Sequence, residues 1–419
     1  MIDISILRES PDELAASLMR RGVEIDVRAL AELDEGRRKK RSNAEDIRSE
    51  QNTMSKSISS LSGDERQTAI EQAGGLSEKY KAALVEADSL DAEFEDRWIA
   101  LPNMTDPTAA DGFEESDAVE IRRVGVHPEF GFETKDHVDL GVGLGVIDIE
   151  RAVKISGSRF GLKLGGFAIL EMSLMRWTID NLVGHGFTPV IPPTLVREAA
   201  LVGTGFFPGE REQVYSVRED DLFLVGTSEV ALAAMHGDEI FDLDDLPLRY
   251  VGISTCFRVE AGTYGRDTRG LFRVHQFDKA EMFSFVSPSA SPDEHEFLLA
   301  REEELVQALD IPYRVVNVAA GDLGLSAAKK YDIEAWFPGQ NKYREITSTS
   351  NTTDFQARRL KIRFKDTAGN NQFVHTLNGT AATPRHLIAL IENHQQADGT
   401  VHIPEALVPY TGFDVLDAQ

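Results

Sequence analysis

Residues 257–283 read FRVEAGTYGRDTRGLFRVHQFDKAEMF. Arg258, Arg266, Arg269, Arg273 and Lys279 are interleaved here with Glu260, Asp267, Asp278 and Glu281, and with the rings of Phe257, Tyr264, Phe272, Phe277 and Phe283. Charged groups normally spread over a surface where water solvates them, so their gathering between apolar flanks asks for a chemical reason. Two strands, VGISTCFRVE and LFRVHQFDKAEMFSF, joined by the loop AGTYGRDTRG, supply one. A period of two places Arg273, His275, Phe277, Lys279 and Glu281 on one face, with Val274, Gln276, Asp278 and Met282 on the other. Arg258 and Glu260 join that face from the neighbouring strand. It then presents a guanidinium, a ring and a carboxylate in line, which suit the phosphates and the purine of a triphosphate and the ammonium of an amino acid. A surface hairpin with cross-strand ion pairs accounts for any one of these residues, but not for all three chemistries at matching parity.

The surrounding sequence mixes short β-branched runs (DLFLVGT, YRVVNVAAG, YREITSTSN) with amphipathic helical stretches (FAILEMSLMRWTIDNLVGHG, PRHLIALIENHQ). It lacks the regular strand–helix succession of a parallel sheet, so the fold class is α+β. No GxxxxGK[ST] loop occurs, which excludes a P-loop nucleotide site.

Residues 1–105 are of another kind. Leu30, Leu33, Arg37, Lys40, Ala44, Ile47, Gln51, Met54, Ile58 and Leu61 alternate by three and four, as do Tyr80, Leu84, Ala87, Asp91, Phe94 and Trp98. That spacing predicts an antiparallel helical hairpin turning at LSGDERQ, an arm of two helices of about 35 residues and roughly 50 Å long. Gly74 and Gly75 mark a weak point in its second helix, at about 1 kcal/mol of lost propensity each. Arg37, Arg38, Lys39, Lys40, Arg41, Arg48 and Lys56 outnumber Glu45, Asp46 and Glu50 in residues 36–60. Such a run is either a solvated helix face or a patch for a phosphate backbone. Residues 106–419 form the second predicted domain, entered through the polar stretch LPNMTDPTAADGFEESD.

The 419 residues carry a net charge of −26, which taken alone disfavours nonspecific nucleic-acid binding and leaves any such contact to local basic patches. Cys256 is the single cysteine, so no internal disulfide forms and a thiolate zinc cluster is disfavoured. The absence of a long apolar run and of a basic, apolar leader predicts a cytoplasmic protein without membrane contact.

FRVEAGTYGRDTRGLFRVHQFDKAEMF resembles motif 2 of the seryl-tRNA synthetases of bacterial type, a family of class II aminoacyl-tRNA synthetases. The resemblance covers the two-helix arm, the linker and the sequence to about residue 412. GFTPVIPP, ending at Pro193, resembles the end of motif 1 (about 166–193); motif 2 spans about 254–285; and NGTAATPRHLIALIENHQ resembles motif 3 (about 377–395), with its arginine at Arg385. Motif 3 departs from the family pattern in being one residue shorter and in placing Pro384 before that arginine, which pushes Thr383 towards an extended conformation. The implied fold is a coiled-coil arm plus an antiparallel-sheet catalytic domain flanked by helices, dimeric through motif 1.

The implied activity is serine–tRNA ligation, with seryl-adenylate formed from serine and ATP and its seryl group passed to the 3′ end of tRNA-Ser, and to selenocysteine tRNA where that exists. The resemblance makes Arg258 and Arg385 catalytic. It places ATP against Arg258, Val259, Glu260, Arg273, Val274, Phe277, Glu345, Ile346, Thr347, Ser348 and Arg385, with adenine stacked between Phe277 and Arg385. Glu345 and Ser348 would take Mg²⁺ with the nucleotide, and no zinc is implied. Serine would meet Thr227, Ser228, Glu229, Glu281, Asn378 and Thr380. The long variable arm of the tRNA would meet Arg37, Arg38, Lys40 and Arg41, while Arg266, Arg269, Arg358, Arg359, Lys361 and Arg363 would form a second basic strip. A carrier-protein-loading relative would lack the arm, and a catalytically silent paralogue would have broken motifs.

Overall fold

A computed structural model describes residues 1–262 and 269–418. Arg266 therefore lies outside the described residues. Contacts divide the chain into two compact units, Ile2–Leu101 and Pro102 onward. Asn103 already belongs to the second unit, its amide donating to the carbonyl of Thr352 at 2.8 Å and its backbone N–H to that of Leu325 at 2.8 Å.

In the first unit, two short helices precede the hairpin α1 (Val27–Ser57) and α2 (Gly63–Ile99). Asp26 caps α1 by accepting from the Ala29 N–H at 3.0 Å. Leu30, Ala44, Ala87, Phe94 and Trp98 from the predicted seam are buried, and α2 runs unbroken through Gly74 and Gly75. Arg37 and Asp91, both assigned to the seam by spacing, meet there at 3.3 Å, with the Arg37 guanidinium 4.2 Å from the Phe94 ring centre. The basic run is answered by carboxylates: Lys40 pairs with Glu86 at 2.7 Å and Arg41 with Asp88 at 2.7 Å and with Asp91. Arg38 reaches the buried Asp34 at 2.9 Å, beside Arg8 and Arg37. Burial alone would raise the Asp34 pKa, and hydrogen bonds from Arg8 and Arg37 instead bring it to about 2.

The second unit is built on an eight-stranded sheet. In chain order its strands are β1 (Val119–Val124), β2 (Thr188–Val190), β3 (Leu248–Phe257), β4 (Gln276–Val286), β5 (Tyr313–Asn317), β6 (Lys329–Phe337), β7 (Lys342–Asn351) and β8 (His375–Ala382). The spatial order is β1-β5-β6-β7-β8-β4-β3-β2. Among the described residues its neighbours run antiparallel except β2 and β3. Helices α3 (Gly165–Gly184), α4 (Ser291–Ala308) and α5 (Pro384–Asn393) supply Leu170, Leu298 and Leu387 to the main apolar core, where they pack with Met282, Ile333 and Leu377 from the strands. At the centre of the sheet β7 and β8 pair only from Thr349↔Gly379 to Asn351↔Leu377 and then part.

β4 starts five residues later than the sequence predicts. Arg273 and His275 precede it, and Arg258 and Glu260 follow the end of β3 at Phe257. Glu260 takes φ +55°, a left-handed turn that an extended strand does not contain.

Candidate active site

Where β7 and β8 part, a cavity of about 640 Å³ opens. Its walls include Arg258, Glu260, Arg273, Val274 and Phe277 from the β3–β4 region, Glu345, Ile346, Thr347 and Ser348 from β7, and Thr380 and Arg385 from β8 and α5. The neck of the β3–β4 connection keeps the ladder going beyond both strands. The Arg258 N–H donates to the His275 carbonyl at 2.9 Å, and His275 Nδ1 donates back to the Arg258 carbonyl at 3.0 Å. Gln213 holds the same neck from outside, accepting the Val259 N–H on its carbonyl at 2.9 Å and bracketing Ala261 with its amide at 3.0 Å. The Val259 main chain is thus tied to Gln213, which itself lines the cavity.

Arg258 donates to the Gly226 carbonyl at 3.2 Å and lies 5.4 Å from the Phe277 ring centre. Arg273 pairs with Glu260 at 2.7 Å. Arg385 reaches Glu345 Oε1 at 3.1 Å and stacks 4.7 Å from the ring centre of Phe272, a residue the sequence analysis gave no role. Arg344 lies 3.8 Å from that same ring centre. Thr383 is extended (φ −145°, ψ 170°) before Pro384, and its hydroxyl accepts from the Arg385 N–H at 3.2 Å, capping α5. The altered motif 3 therefore forms a helix start that fixes Arg385. Burial opposes ionisation of Glu345, but Arg385, Lys330, Arg258 and Arg273 together hold its carboxyl well below the usual range.

Deeper in, Phe277, Lys279 and Glu281 share one face of β4, as their alternation predicts. Lys279 pairs with Glu281 and donates to Thr227 Oγ1 at 3.2 Å, while Thr380 donates to Glu281 at 3.4 Å. Burial raises the Glu281 pKa, and Lys279 opposes the rise. Lys279 was not among the predicted site residues although it lies in the same alternation; it lines the cavity together with Lys330. A cation between a carboxylate and a hydroxyl, beside a row of guanidiniums, makes a pocket for a small zwitterion next to a polyanion.

Other predicted residues lie elsewhere. The Ser228 hydroxyl donates to the Gly252 carbonyl at 3.3 Å, where its turn packs against β3. Glu229 is buried against Gln356, which donates to it at 2.7 Å, and burial together with Glu281 raises its pKa to about 7. Asn378 is buried on β8 outside the cavity wall. The second basic strip is dispersed. Arg269 pairs with Asp136 at 3.0 Å and with Asp139, Arg358 pairs with Asp354 at 2.7 Å, and Arg359 donates to the Val202 carbonyl at 2.9 Å.

Residues 1–105 match the family model of the seryl-tRNA synthetase N-terminal domain, and residues 213–394 match that of the tRNA synthetase class II core domain (G, H, P, S and T). A serine–tRNA ligase of Nocardia farcinica is 50% identical over 417 residues, 99% of each chain. The structure of seryl-tRNA synthetase from Pyrococcus horikoshii complexed with ATP superposes with a TM-score of 0.93 at 42% identity over 100% of both chains. That of the cytoplasmic serine–tRNA ligase from Naegleria fowleri in complex with AMP gives 0.87 at 32% identity, over 100% of this chain and 99% of the other. With two family models matched and a full-length relative half identical, the chain belongs to the seryl-tRNA synthetase family.

Proposed function

We infer that the protein is a serine–tRNA ligase that activates L-serine with ATP and transfers the seryl group to the 3′ end of tRNA-Ser. The reading rests on one cavity that joins Arg258, Phe277 and Arg385 to the buried Lys279–Glu281–Thr380 cluster. ATP lies against the guanidiniums, with its base at Phe277. The serine carboxylate attacks the α-phosphate, the P–O bond to pyrophosphate breaks, and Arg258 stabilises the charge that builds up on the phosphate oxygens. Glu281, with Thr227 and Thr380, holds serine through its ammonium and hydroxyl. Glu345, kept ionised by its cationic neighbours, and Ser348 fit a hard cation that takes its remaining oxygens from phosphates, so Mg²⁺ would be held there and would orient and neutralise the nucleotide. The tRNA hydroxyl then displaces AMP from the seryl carbonyl.

Serine differs from alanine by a hydroxyl that pairs with the buried polar cluster, and a pocket left unpaired rejects alanine by roughly 10⁴–10⁵. The arm meets the variable arm of tRNA-Ser through shape and backbone charge. Two copies pair through α3 and β2, a reading supported by exposed Met172 on that helix and Ile191 just past that strand. No helix among the described residues is long and apolar enough to cross a membrane, in keeping with a cytoplasmic site of action. ATP–pyrophosphate exchange measured across the twenty amino acids tests the assignment. Exchange driven by serine is the expected result, and exchange driven by a different amino acid instead overturns it.

A further inference from the structure

The chain that returns to β4 through residues 270–275 is gripped by a short helix, His137–Gly143. His137, 3% exposed, reaches two elements at once. Its Nε2 accepts the Leu271 N–H at 3.2 Å, and its Nδ1 lies 3.0 Å from Glu392 Oε1. A main-chain N–H can only donate, so Nε2 carries the lone pair and Nδ1 carries the proton that Glu392 accepts. Glu392, fully buried in the last turn of α5, also accepts the His137 N–H at 3.0 Å and the Gly339 N–H at 3.1 Å. The imidazole is therefore fixed in tautomer and orientation where it meets Leu271. Gly270 permits the approach. It takes φ +87°, and a Cβ there would overlap the His137 Nε2.

The tie joins two parts of the cavity wall. α5 carries Arg385 in its first turn and Glu392 in its last. Leu271 directly precedes Phe272, whose ring centre lies 4.7 Å from Arg385, and Arg273, which pairs with Glu260. Phe272, Arg273 and Arg385 all line the cavity, whereas His137 does not. An imidazole anchored on α5 thus fixes the chain that bears Phe272 and Arg273 relative to the helix that bears Arg385. We propose that His137 is a positioning residue for ATP: anchored by Glu392, it accepts the Leu271 N–H and so seats Phe272 against Arg385 and Arg273 in the cavity wall. The proposal rests on the assignment of that cavity to ATP.

Pyrophosphate exchange by the full chain with H137Q, H137N and R385A tests it. Glutamine carries an amide oxygen to the place of Nε2 and leaves Nδ1 unreplaced, whereas asparagine puts an amide N–H at the place of Nδ1 and ends short of Leu271. The expected result is an ATP KM within about twofold of wild type for H137Q and raised about tenfold for H137N, the size of one lost buried hydrogen bond, with the serine KM unchanged in both. Without substrates, the amide protons of residues 271–275 should exchange with solvent faster in H137N than in H137Q or the wild type. If R385A leaves the ATP KM unchanged, the assignment of the cavity to ATP fails and the proposal falls with it. If R385A raises the ATP KM but H137Q is as impaired as H137N, or H137N is unimpaired, or the serine KM rises equally, or residues 271–275 exchange alike in the two variants, His137 alone is refuted.

Discussion

Arg258 donates to the Gly226 carbonyl and lies over Phe277, contacts that depend on a planar fork. A lysine keeps the charge but not that geometry, so R258K is expected to lower the rate of ATP–pyrophosphate exchange by about 100-fold or more while the fold, followed by circular dichroism, is retained. Glu229 yields a prediction about stability. Its pKa, about 7, is raised by burial, so the folded chain holds a proton that the unfolded chain releases near the ordinary carboxyl value of 4.5. The stability linked to this group is full below that value and is lost as pH rises to about 7. E229Q retains the acceptor for Gln356 and removes the titration. The stability of the wild type relative to E229Q, from urea unfolding, should fall by on the order of 2 kcal/mol between pH 4.5 and pH 7. Lys279 was within reach of sequence reasoning, because it alternates with Phe277 and Glu281 on a strand whose face is buried. Phe272 was not, because a ring under Arg385 depends on how residues over a hundred positions apart are folded together.

Among the elements, the late start of β4 and the turned backbone at Glu260 share one cause. The β3–β4 connection is held by side chains such as Gln213, and not by ladder pairing alone, and periodicity carries no record of such anchors. The arm shows the same limit. Heptad spacing revealed both helices, yet the partners of Arg37, Lys40 and Arg41 come from about fifty residues further along the chain. Those basic side chains therefore brace the hairpin, whatever charge they lend to the nucleic-acid contact proposed for them. Replacing Arg37, Arg38, Lys40 and Arg41 with alanine should leave pyrophosphate exchange within about twofold of wild type and weaken aminoacylation, with a reduced salt dependence. It should also lower the melting temperature of the arm, because the buried Asp34 then loses Arg37 and Arg38 and keeps Arg8. Equal losses in exchange and aminoacylation would contradict this separation of roles.

At the scale of the molecule, Met172 on α3 is 65% exposed and Ile191, just past β2, is 88% exposed. If two copies pair through this face as proposed, charging both, as M172D with I191D, is expected to shift the mass seen in sedimentation equilibrium from dimer to monomer. The parting of β7 and β8 has a consequence of its own. It divides the sheet into a wing of β1, β5, β6 and β7 and a wing of β8, β4, β3 and β2, sewn together by three residue pairs. Arg385 and Glu345 bridge the gap between them, and a nucleotide lodged there would touch both wings at once. Substrate thus serves as a missing rung, and amide protons around residues 345–348 and 380–383 should exchange more slowly with solvent once ATP and serine are bound.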